Sequence, residues 1–333
     1  MILTVTPNPA LDLTWHVDRL QPGETHRVDA GAARAGGKGL NVARVLHGED
    51  HDVLALTTSG GAVGAEFAAE LSASGIPHRL IPMTGATRRS IAIVDEASGE
   101  TSVLNERGAA LAPDEVAALT ARALELGRSA DAVAICGSLP QGFGTAEFGA
   151  LVGSLVDAGV PVIVDTSGPG MLAAARAGVS ALKPNAEELR AETGLDDPAA
   201  GARALLELGA RLVVASLGSE GLMVQTADAA GIRARLPRVL HGNATGAGDA
   251  AVAAIAAALA ETPDLHADTP TAAEARARLA RRATAWSASA VLMPLAGDLS
   301  PEHAALELEV VVATTSTGSA TDGAEPSEPE ATA

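Results

Sequence analysis

The chain has 333 residues, of which 47% are hydrophobic and 2% aromatic, so it contains enough apolar material for one large or two ordinary domains. A formal net charge of −18 repels nucleic-acid phosphates, and few aromatic residues are available to stack on bases, so we expect no nucleic-acid partner. The single cysteine, Cys136, rules out a disulfide framework within the chain and is typical of a reducing compartment.

Two further absences bear on location. No uncharged apolar run reaches the roughly 18 residues that a membrane span requires. The opening segment, M-I-L-T-V-T-P-N-P, has no basic residues before its apolar stretch, so no signal peptide is predicted. We therefore expect a cytoplasmic protein without a membrane partner.

In chain order, short apolar or β-branched runs alternate with helical patterns. The runs predict strands at 2–6, 53–57, 90–94, 132–136, 161–165, 179–182 and 211–216. The intervening Ala-, Leu-, Glu- and Arg-rich segments predict helices at 38–48, 63–74, 113–127, 145–158, 168–177, 186–193 and 198–209. This alternation is typical of βαβ crossovers, and the continuously apolar runs indicate strands that are buried on both faces. The predicted fold class is α/β with a mostly parallel central sheet.

Two segments do not fit the alternation. Residues 12–33 alternate polar and apolar side chains, and residues 87–107 resemble a hairpin that turns at 97–99. Together they predict a small antiparallel sheet that lies as a lid over a ligand crevice and whose exposed face pairs two subunits.

The end of the chain differs in composition. From about residue 313 it is acidic, of low complexity and without large apolar residues. We predict a globular domain over 1–310 and a disordered acidic tail over 311–333.

The segment A-G-G-K-G-L-N-V-A-R at 35–44 is the first candidate binding motif. Its spacing fits neither the Walker A loop nor the dinucleotide-binding fingerprint. What remains is a Gly-Gly turn that opens a helix, with exposed N–H groups, Lys38 and Asn41. Such a set suits sugar hydroxyls and a phosphate; a plain tight turn before a helix is the alternative.

The segment N-A-T-G-A-G-D at 243–249 is the candidate catalytic motif. Glycines at a helix start permit close backbone approach, and the positive end of the helix dipole attracts developing negative charge. Asp249, in the first turn, would accept a proton from a hydroxyl while the N–H groups hold a phosphoryl group. The alternative is that Asp249 only complements the helix dipole.

Two motifs indicate the part of the site that would bind a nucleotide and a metal ion. In K-P-N-A-E-E-L at 183–189, Asn185 and Glu188 lie one turn apart, which suits either a water-mediated Mg²⁺ site or an ordinary capping box. The turn S-L-G-S-E-G at 216–221 ends a predicted strand, where ligands bind in open parallel sheets; a simple hairpin is the alternative.

Paired arginines at 88 and 89 stand on the predicted lid. In so acidic a chain, arginines that face a crevice indicate an anionic group on the substrate, because the guanidinium fork matches phosphate geometry. Arginines on a solvated face are the alternative for at least one of the two.

Taken together, six motifs resemble, in order, those of the PfkB-type (ribokinase-like) carbohydrate kinases. They are T-P-N-P-A-L-D at 6–12, G-G-K-G-L-N-V-A-R at 36–44, G-S-L-P at 137–140, K-P-N-x-x-E at 183–188, S-L-G at 216–218 and T-G-A-G-D at 245–249. The resemblance covers about residues 1–310. It implies ATP-dependent, Mg²⁺-assisted phosphorylation of a sugar hydroxyl on a ribokinase-like three-layer α/β/α fold with a small β lid that often dimerises, so a homodimer through the lid is expected.

The resemblance also implies site residues. Asp249 is similar to the catalytic base, and the anion hole would comprise Gly246, Ala247 and Gly248. The substrate-binding residues would be Asp12, Gly37, Lys38, Asn41 and Arg88. The nucleotide-binding residues would be Lys183, Asn185, Ser216, Leu217, Gly218, Ser219, Glu220, Gly221, Thr245 and Gly248, and Glu188 would bind Mg²⁺ through water.

Details of the motifs resemble the phosphosugar branch of the family. N-P-A-L-D, T-R at 87–88 and D-T-S-G at 165–168 are similar to 1-phosphofructokinases, tagatose-6-phosphate kinases and the minor 6-phosphofructokinase. The last type resembles G-G-G-G where this chain has G-G-K-G, and it carries a second lid arginine where this chain has Val103. The loop at 57–64, T-T-S-G-G-A-V-G, departs from the family's G-x-x-G-x-D.

The expected reaction is therefore phosphorylation of fructose 1-phosphate to fructose 1,6-bisphosphate. Tagatose-6-phosphate, fructose-6-phosphate, nonphosphorylated-sugar and nucleoside kinases are the alternatives among enzymes. A non-catalytic sugar-phosphate sensor on the same fold is the alternative from another class.

Overall fold

The computed structural model describes residues 1–315, which form fourteen strands and ten α-helices. The strands are β1 Ile2–Thr6, β2 Ala10–Val17, β3 Ala32–Gly36, β4 Val53–Ser59, β5 His78–Pro82, β6 Arg88–Asp95, β7 Thr101–Asn105, β8 Ala132–Cys136, β9 Val162–Asp165, β10 Ala181–Leu182, β11 Val213–Ser216, β12 Leu222–Gln225, β13 Gly231–Arg235 and β14 Val311–Thr315. The helices are α1 Lys38–Gly48, α2 Gly61–Ala73, α3 Pro113–Gly127, α4 Thr145–Asp157, α5 Pro169–Arg176, α6 Ala186–Thr193, α7 Pro198–Glu207, α8 Ala247–Glu261, α9 Pro270–Val291 and α10 His303–Glu309.

A ten-stranded sheet forms the centre, in the order β14-β13-β12-β11-β10-β9-β8-β1-β4-β5. The seven strands from β11 to β5 pair in parallel, and β12, β13 and β14 add antiparallel strands at one edge. Alternate residues of one strand enter different cores. Ile2 belongs to the core that includes residues of α1, α8 and α9, whereas Leu3 belongs to the core that includes residues of α3, α4 and α7. Both faces are thus covered by helices, which confirms the predicted three-layer α/β/α fold.

The predicted second sheet is also present, with the strand order β3-β2-β6-β7. Its outer pairs are antiparallel, but the central pair, β2 with β6, is parallel. The short connections explain this pairing. Strand β2 follows β1, and β6 follows β5, after only a few residues. Because β1 and β5 run in the same direction, β2 and β6 leave the large sheet in the same direction. The hairpin between β6 and β7 turns where predicted, with Asp95 Oδ1 accepting hydrogen bonds from Ala97 N and Ser98 N.

The end of the domain lies later than predicted. Residues 311–315 were expected to begin a disordered tail, yet they form β14, which pairs with β13 along five residues. This part of the prediction is wrong because V-V-A-T-T is rich in β-branched residues and meets an open sheet edge, where its backbone groups find partners. Residues 316–333 of the expected tail lie outside the described residues. Within residues 1–315, no helix combines the length and apolarity needed to cross a membrane.

Candidate active site

The aspartate of T-G-A-G-D lies in the first turn of α8, and this helix is buried along almost its whole length. Small alanine side chains let α8 pack closely against α1 and α9. Asp249 is only 6% exposed, and its Oδ2 accepts a hydrogen bond of 2.8 Å from Asn41 Nδ2 on α1. The structure therefore brings together two residues that are about 200 positions apart in the sequence and that motif analysis selected independently.

The start of α8 has the geometry of an anion cradle. Gly246 caps the helix with φ +89°, a conformation that favours glycine. A Cβ at this position would also lie 2.7 Å from the Cβ of Ala296. Among the described residues, the N–H groups of Gly248 and Asp249 donate to no acceptor, so they remain available at the positive end of the helix dipole.

A cluster of buried charges surrounds this cradle. Asp165, at the end of β9, is 1% exposed, and its Oδ1 lies 3.1 Å from Lys38 Nζ while its Oδ2 lies 3.7 Å from Lys183 Nζ. The ammonium of Lys183 also lies close to the cradle: a Cβ built on Gly248 would be 3.4 Å from Lys183 Nζ. Two ammonium groups, of Lys38 and Lys183, and two carboxylates, of Asp165 and Asp249, thus lie near one another beside the ends of β9 and β10.

This environment shifts the proton affinity of its members. Burial raises the pKa of Asp249 to about 6, with a further contribution from Asp165, and Lys38, Asn41 and Lys183 oppose the shift. For Lys38, burial lowers the pKa, but the carboxylates of Asp165, Asp249 and Glu188 outweigh this effect and leave the pKa above its usual range. Asp249 is consequently ionised at neutral pH and still a better base than an exposed aspartate.

Asp12 lies beside the cradle on the small sheet. It is half-buried on β2, and a Cβ on Gly36 would collide with its carboxylate. Burial raises the pKa of Asp12 to about 7; Arg88 opposes the shift and Asp249 adds to it. The adjacent Gly37 has φ +110° and caps α1, so the G-G-K-G segment is a tight turn whose glycines are required by close contact and by backbone conformation.

Arg88 begins β6 and faces the same side of the small sheet as Asp12. Its guanidinium donates to the carbonyls of Glu106 at 3.2 Å and Asn8 at 3.3 Å, whereas its buried Nε has no partner in the described part of the chain. Burial lowers the pKa of Arg88, and the Asp12 and Glu106 carboxylates oppose this. A half-buried, incompletely paired guanidinium is a good anion ligand.

A cavity of about 610 Å³ adjoins the cradle on the side away from the small sheet. Seven predicted residues line it: Asn185, Ser216, Gly218, Ser219, Gly221, Ala247 and Gly248. Five others predicted for the nucleotide and metal side do not line it: Lys183, Glu188, Leu217, Glu220 and Thr245. The opposite wall comes from the segment that follows β13 and from α9, and no sequence motif indicated it. It includes Leu236, Arg238, His241, Thr284 and Ser287.

The capping box and the hairpin, which were the structural alternatives for the motifs at 183–189 and 216–221, are both present. Asn185 caps α6 and forms a reciprocal capping box with Glu188, with N–O distances of 2.8 and 2.9 Å. The S-L-G-S-E-G segment forms a short 3-10 helix, Gly218–Glu220, inside the hairpin of β11 and β12. The same turns nevertheless line the cavity, so local structure and ligand access coincide at these positions.

Sequence analysis missed Asp165 as a site residue. The available signal was an acidic residue at the carboxyl end of a buried predicted strand, where ligands bind in parallel sheets. D-T-S-G served only to compare branches of the family, so the carboxylate itself was not singled out.

An anion cradle at a helix start, a buried carboxylate beside it and an adjoining large cavity define a phosphoryl-transfer enzyme of the three-layer α/β/α class. Residues 6–301 match the sequence pattern of the pfkB family carbohydrate kinases. The protein belongs to this family.

Named relatives agree with this assignment. The chain is 39% identical to a 1-phosphofructokinase of Xanthomonas campestris pv. campestris over 77% of this chain and 83% of the relative. It is 35% identical to a 1-phosphofructokinase of Rhodobacter capsulatus over 87% and 90%, respectively. Among solved structures, phosphofructokinase-2 from Escherichia coli in complex with fructose-6-phosphate is similar with a TM-score of 0.81 and 29% identity, over 92% of this chain and 98% of that one.

Proposed function

We propose that the protein is an ATP-dependent phosphosugar kinase that converts fructose 1-phosphate into fructose 1,6-bisphosphate. The observation that carries the proposal is the buried Asp249 in the first turn of α8, hydrogen-bonded to Asn41 and flanked by Lys38, Lys183 and a glycine cradle. The two 1-phosphofructokinase relatives support this choice of acceptor.

Asp249 accepts the proton of the attacking sugar hydroxyl. Its carboxylate is ionised at neutral pH, and the hydrogen bond from Asn41 fixes its orientation. A sensor would have no need of a buried base, because keeping a carboxylate ionised in a buried site costs stability. This cost supports an enzyme over a sugar-phosphate sensor.

The cradle stabilises the transferred phosphoryl group. The free N–H groups of Gly248 and Asp249 lie at the positive end of α8, and Lys183 lies beside Gly248. Fixed dipoles and cations of this kind stabilise charge on a phosphoryl group without reorganisation. The cavity lined by Ser216, Gly218 and Ser219 has a size that suits a nucleotide.

The residues present also fit Mg²⁺. The buried Oδ2 of Asp165 accepts no hydrogen bond from the described residues, and Glu188 lies near enough to Lys38 to influence its pKa. Within the described range, no group of three or more His, Cys, Asp or Glu side chains is placed to hold a metal ion; an ion held by one or two carboxylates and by water needs no such group. Bound with ATP, Mg²⁺ would neutralise phosphate charge.

The acceptor sugar is held between the small sheet and α1. Asp12, Gly37 and Asn41 bind its hydroxyls, and Arg88 binds its existing phosphate, which the unpaired Nε supports. Lys38 forms an ion pair with Asp165. This pair supports a place for the Lys38 ammonium between the sugar phosphate and the transferred phosphoryl group, where its positive charge lowers the repulsion between the two.

A second candidate acceptor is fructose 6-phosphate. The chain is 35% identical to an ATP-dependent 6-phosphofructokinase isozyme 2 of Mycobacterium tuberculosis over 78% of its length, and the similar structure from Escherichia coli holds fructose-6-phosphate. The lysine in G-G-K-G and Val103 both depart from the minor 6-phosphofructokinase type and so weaken the case for fructose 6-phosphate.

The test is ADP release by purified protein with fructose 1-phosphate, fructose 6-phosphate, tagatose 6-phosphate and unphosphorylated fructose. We expect the highest kcat/KM with fructose 1-phosphate. Asp249→Asn should lower kcat by at least about 1,000-fold while ATP binding, measured by calorimetry, stays within a few-fold of the wild type. Near-normal kcat in this variant would refute the base, and ligand binding without ADP release in the wild type would favour the sensor.

We further infer a homodimer through the small sheet. The face opposite Asp12 and Arg88 presents apolar side chains, among them Trp15, Ile91, Ile93 and Leu104, which stand in register on neighbouring strands. A second copy would cover this face without touching the sugar side. A solved form of the relative from Escherichia coli is described as tetrameric, which supports association in this family.

A further inference from the structure

An irregular loop follows α9 and lies against the anion cradle. This loop, residues 292–298, contacts Gly246 closely: a Cβ on Gly246 would lie 2.8 Å from Ala296 Cα and 3.3 Å from Gly297 N. Asn243 Nδ2 donates a hydrogen bond of 3.0 Å to Pro294 O. The position of the cradle therefore depends on the position of this loop, because no space separates the two backbones.

The other side of the loop rests on α1. A Cβ on Gly297 would lie 3.3 Å from Asn41 Cα and 3.0 Å from Arg44 Cδ. Asn41 is the residue that donates to Asp249. The loop is thus wedged between the helix that orients the catalytic base and the turn that forms the cradle.

One side chain of the small sheet ties the loop down. Arg34, on β3, donates from Nη1 to Ala296 O at 2.8 Å and to Asp298 Oδ2 at 2.9 Å, and from Nη2 to Asp298 Oδ1 at 2.8 Å. Its side chain is 18% exposed and that of Asp298 is 41% exposed. A two-pronged guanidinium–carboxylate pair fixes orientation as well as distance. In the strand register, Arg34 stands directly opposite Asp12.

We propose that the Arg34–Asp298 ion pair is a positioning clasp, which holds the 292–298 loop against Gly246 and couples the acceptor side of the site to the geometry of the anion cradle. Arg34 and Asp298 touch no reacting atom, so they act through the loop. Movement of β3 when the sugar binds at Asp12 is transmitted through the clasp to Gly246. The catalytic part of this proposal rests on the kinase function proposed above.

The decisive variant is Asp298→Asn, which keeps the size of the side chain but removes its charge and one of the two acceptors. We expect kcat to fall by about ten-fold because a small misplacement of the cradle weakens phosphoryl transfer, while KM for ATP and for the sugar phosphate changes less than two-fold. Arg34→Lys, which keeps the charge but loses the fork, should give an intermediate loss, and Asp298→Glu should restore part of the rate.

The matched control is Glu261→Gln, which breaks the ion pair of 3.0 Å between Glu261 and Arg282 on α8 and α9. That pair joins two helices without touching the loop. We expect its kcat to equal that of the wild type. An equal loss in this control would show that kcat responds to any weakened helix contact and would overturn the assigned role of the clasp.

A second readout needs no turnover. Amide hydrogen exchange of the peptide 243–250 reports the hydrogen bonds of Thr245, Ala247 and Ala250. In Asp298→Asn this peptide should exchange several-fold faster while the central strand 53–59 is unchanged, and bound sugar phosphate should slow it in the wild type only. Wild-type exchange in the variant, or equal acceleration in both peptides, would overturn the clasp. If the wild type phosphorylates no acceptor, the kinase proposal fails and exchange alone decides on the clasp.

Discussion

At the scale of a single residue, the role proposed for Asp249 places two opposing demands on its side chain. A base must be an ionised carboxylate, and burial disfavours that form. Asn41, Lys38 and Lys183 oppose the effect of burial, and the resulting pKa of about 6 keeps the group charged at neutral pH. The sequence left two roles open for Asp249, a complement to the helix dipole and a catalytic base. The two are compatible, because an ionised carboxylate in the first turn of α8 complements the dipole in either role.

The first prediction concerns the pH dependence of the reaction. If Asp249 is the base proposed above, it works in its deprotonated form, and kcat should fall about ten-fold per pH unit below about 6. Protonation of Asp12, whose pKa is about 7, should raise KM for the sugar as the pH falls below that value. Steady-state kinetics between pH 5 and 9 would measure both the fall in kcat and the rise in KM.

The control for this profile is Asp12→Asn. The substrate phosphate itself titrates near pH 6, and this variant retains that titration. Asp12→Asn should lose only the rise in KM that begins near pH 7. A rise from pH 7 that persists in Asp12→Asn would contradict the role given to Asp12.

A second prediction concerns stability. The folded-state pKa of Asp249 lies above its usual value, so this group favours folding at low pH, and that contribution is lost as the pH rises through about 6. Asp249→Asn should therefore raise the free energy of unfolding at pH 7 by about 1 to 3 kcal/mol, at about 1.4 kcal/mol per pKa unit. Urea unfolding at pH 7 and at pH 4.5 tests this, and the gain should shrink at the lower pH. Equal stability of both proteins at pH 7 would contradict it.

At the scale of elements, residue patterns predicted those helices and strands whose bounds are set by neighbouring residues in the chain. Helices α1 and α3 occur at the predicted bounds because amphipathic spacing and start signals define them. The strand β5 and the long helix α9 were not predicted. H-R-L-I-P is short and half polar, and α9 has eleven buried residues of which many are alanine, so its apolar pattern is weak and only packing against α8 establishes it.

The turn at Gly246 provides a prediction for an element. In Gly246→Ala, an alanine would have to adopt a positive φ, and its Cβ would collide with Ala296. We therefore expect kcat to fall at least ten-fold and the free energy of unfolding to fall by roughly 2 to 4 kcal/mol. Gly159→Ala is the matched control, since φ is +78° there and nothing lies within 4 Å.

The control should lose only about 1 kcal/mol of stability and keep its kcat. Activity assays and thermal unfolding of both variants separate strain from collision. If the two variants behave alike, close approach of the 292–298 loop to the cradle is not important for the reaction.

At the scale of the whole molecule, the small sheet extends from the carboxyl edge of the large one and has two different faces. One face carries Asp12 and Arg88, and the other carries Trp15, Ile91, Ile93 and Leu104. Leu104 is 57% exposed. Trp15, Ile91 and Ile93 are half-buried. An exposed leucine that continues such an apolar stripe on a sheet is typical of an association surface.

The prediction at this scale is that Leu104→Asp shifts the protein from dimer to monomer in sedimentation-velocity experiments, because two buried carboxylates would face each other across a two-fold interface. Leu308→Asp is the control, since Leu308 is 88% exposed on α10 and lies outside the small sheet. A dimer that persists in Leu104→Asp, or a monomeric wild type, would contradict association through this face.

The sequence by itself determined the α/β class, the positions of most parallel strands and the motifs at Gly37, Asn185 and Asp249, because periodicity, caps and turn chemistry are local properties. Tertiary structure decided the rest. It placed Asp165 between Lys38 and Lys183, built one wall of the cavity from α9, turned β2 and β6 parallel, and joined Arg34 to Asp298. These contacts link residues that are distant along the chain, and only the packing of the sheets and helices brings their charges together.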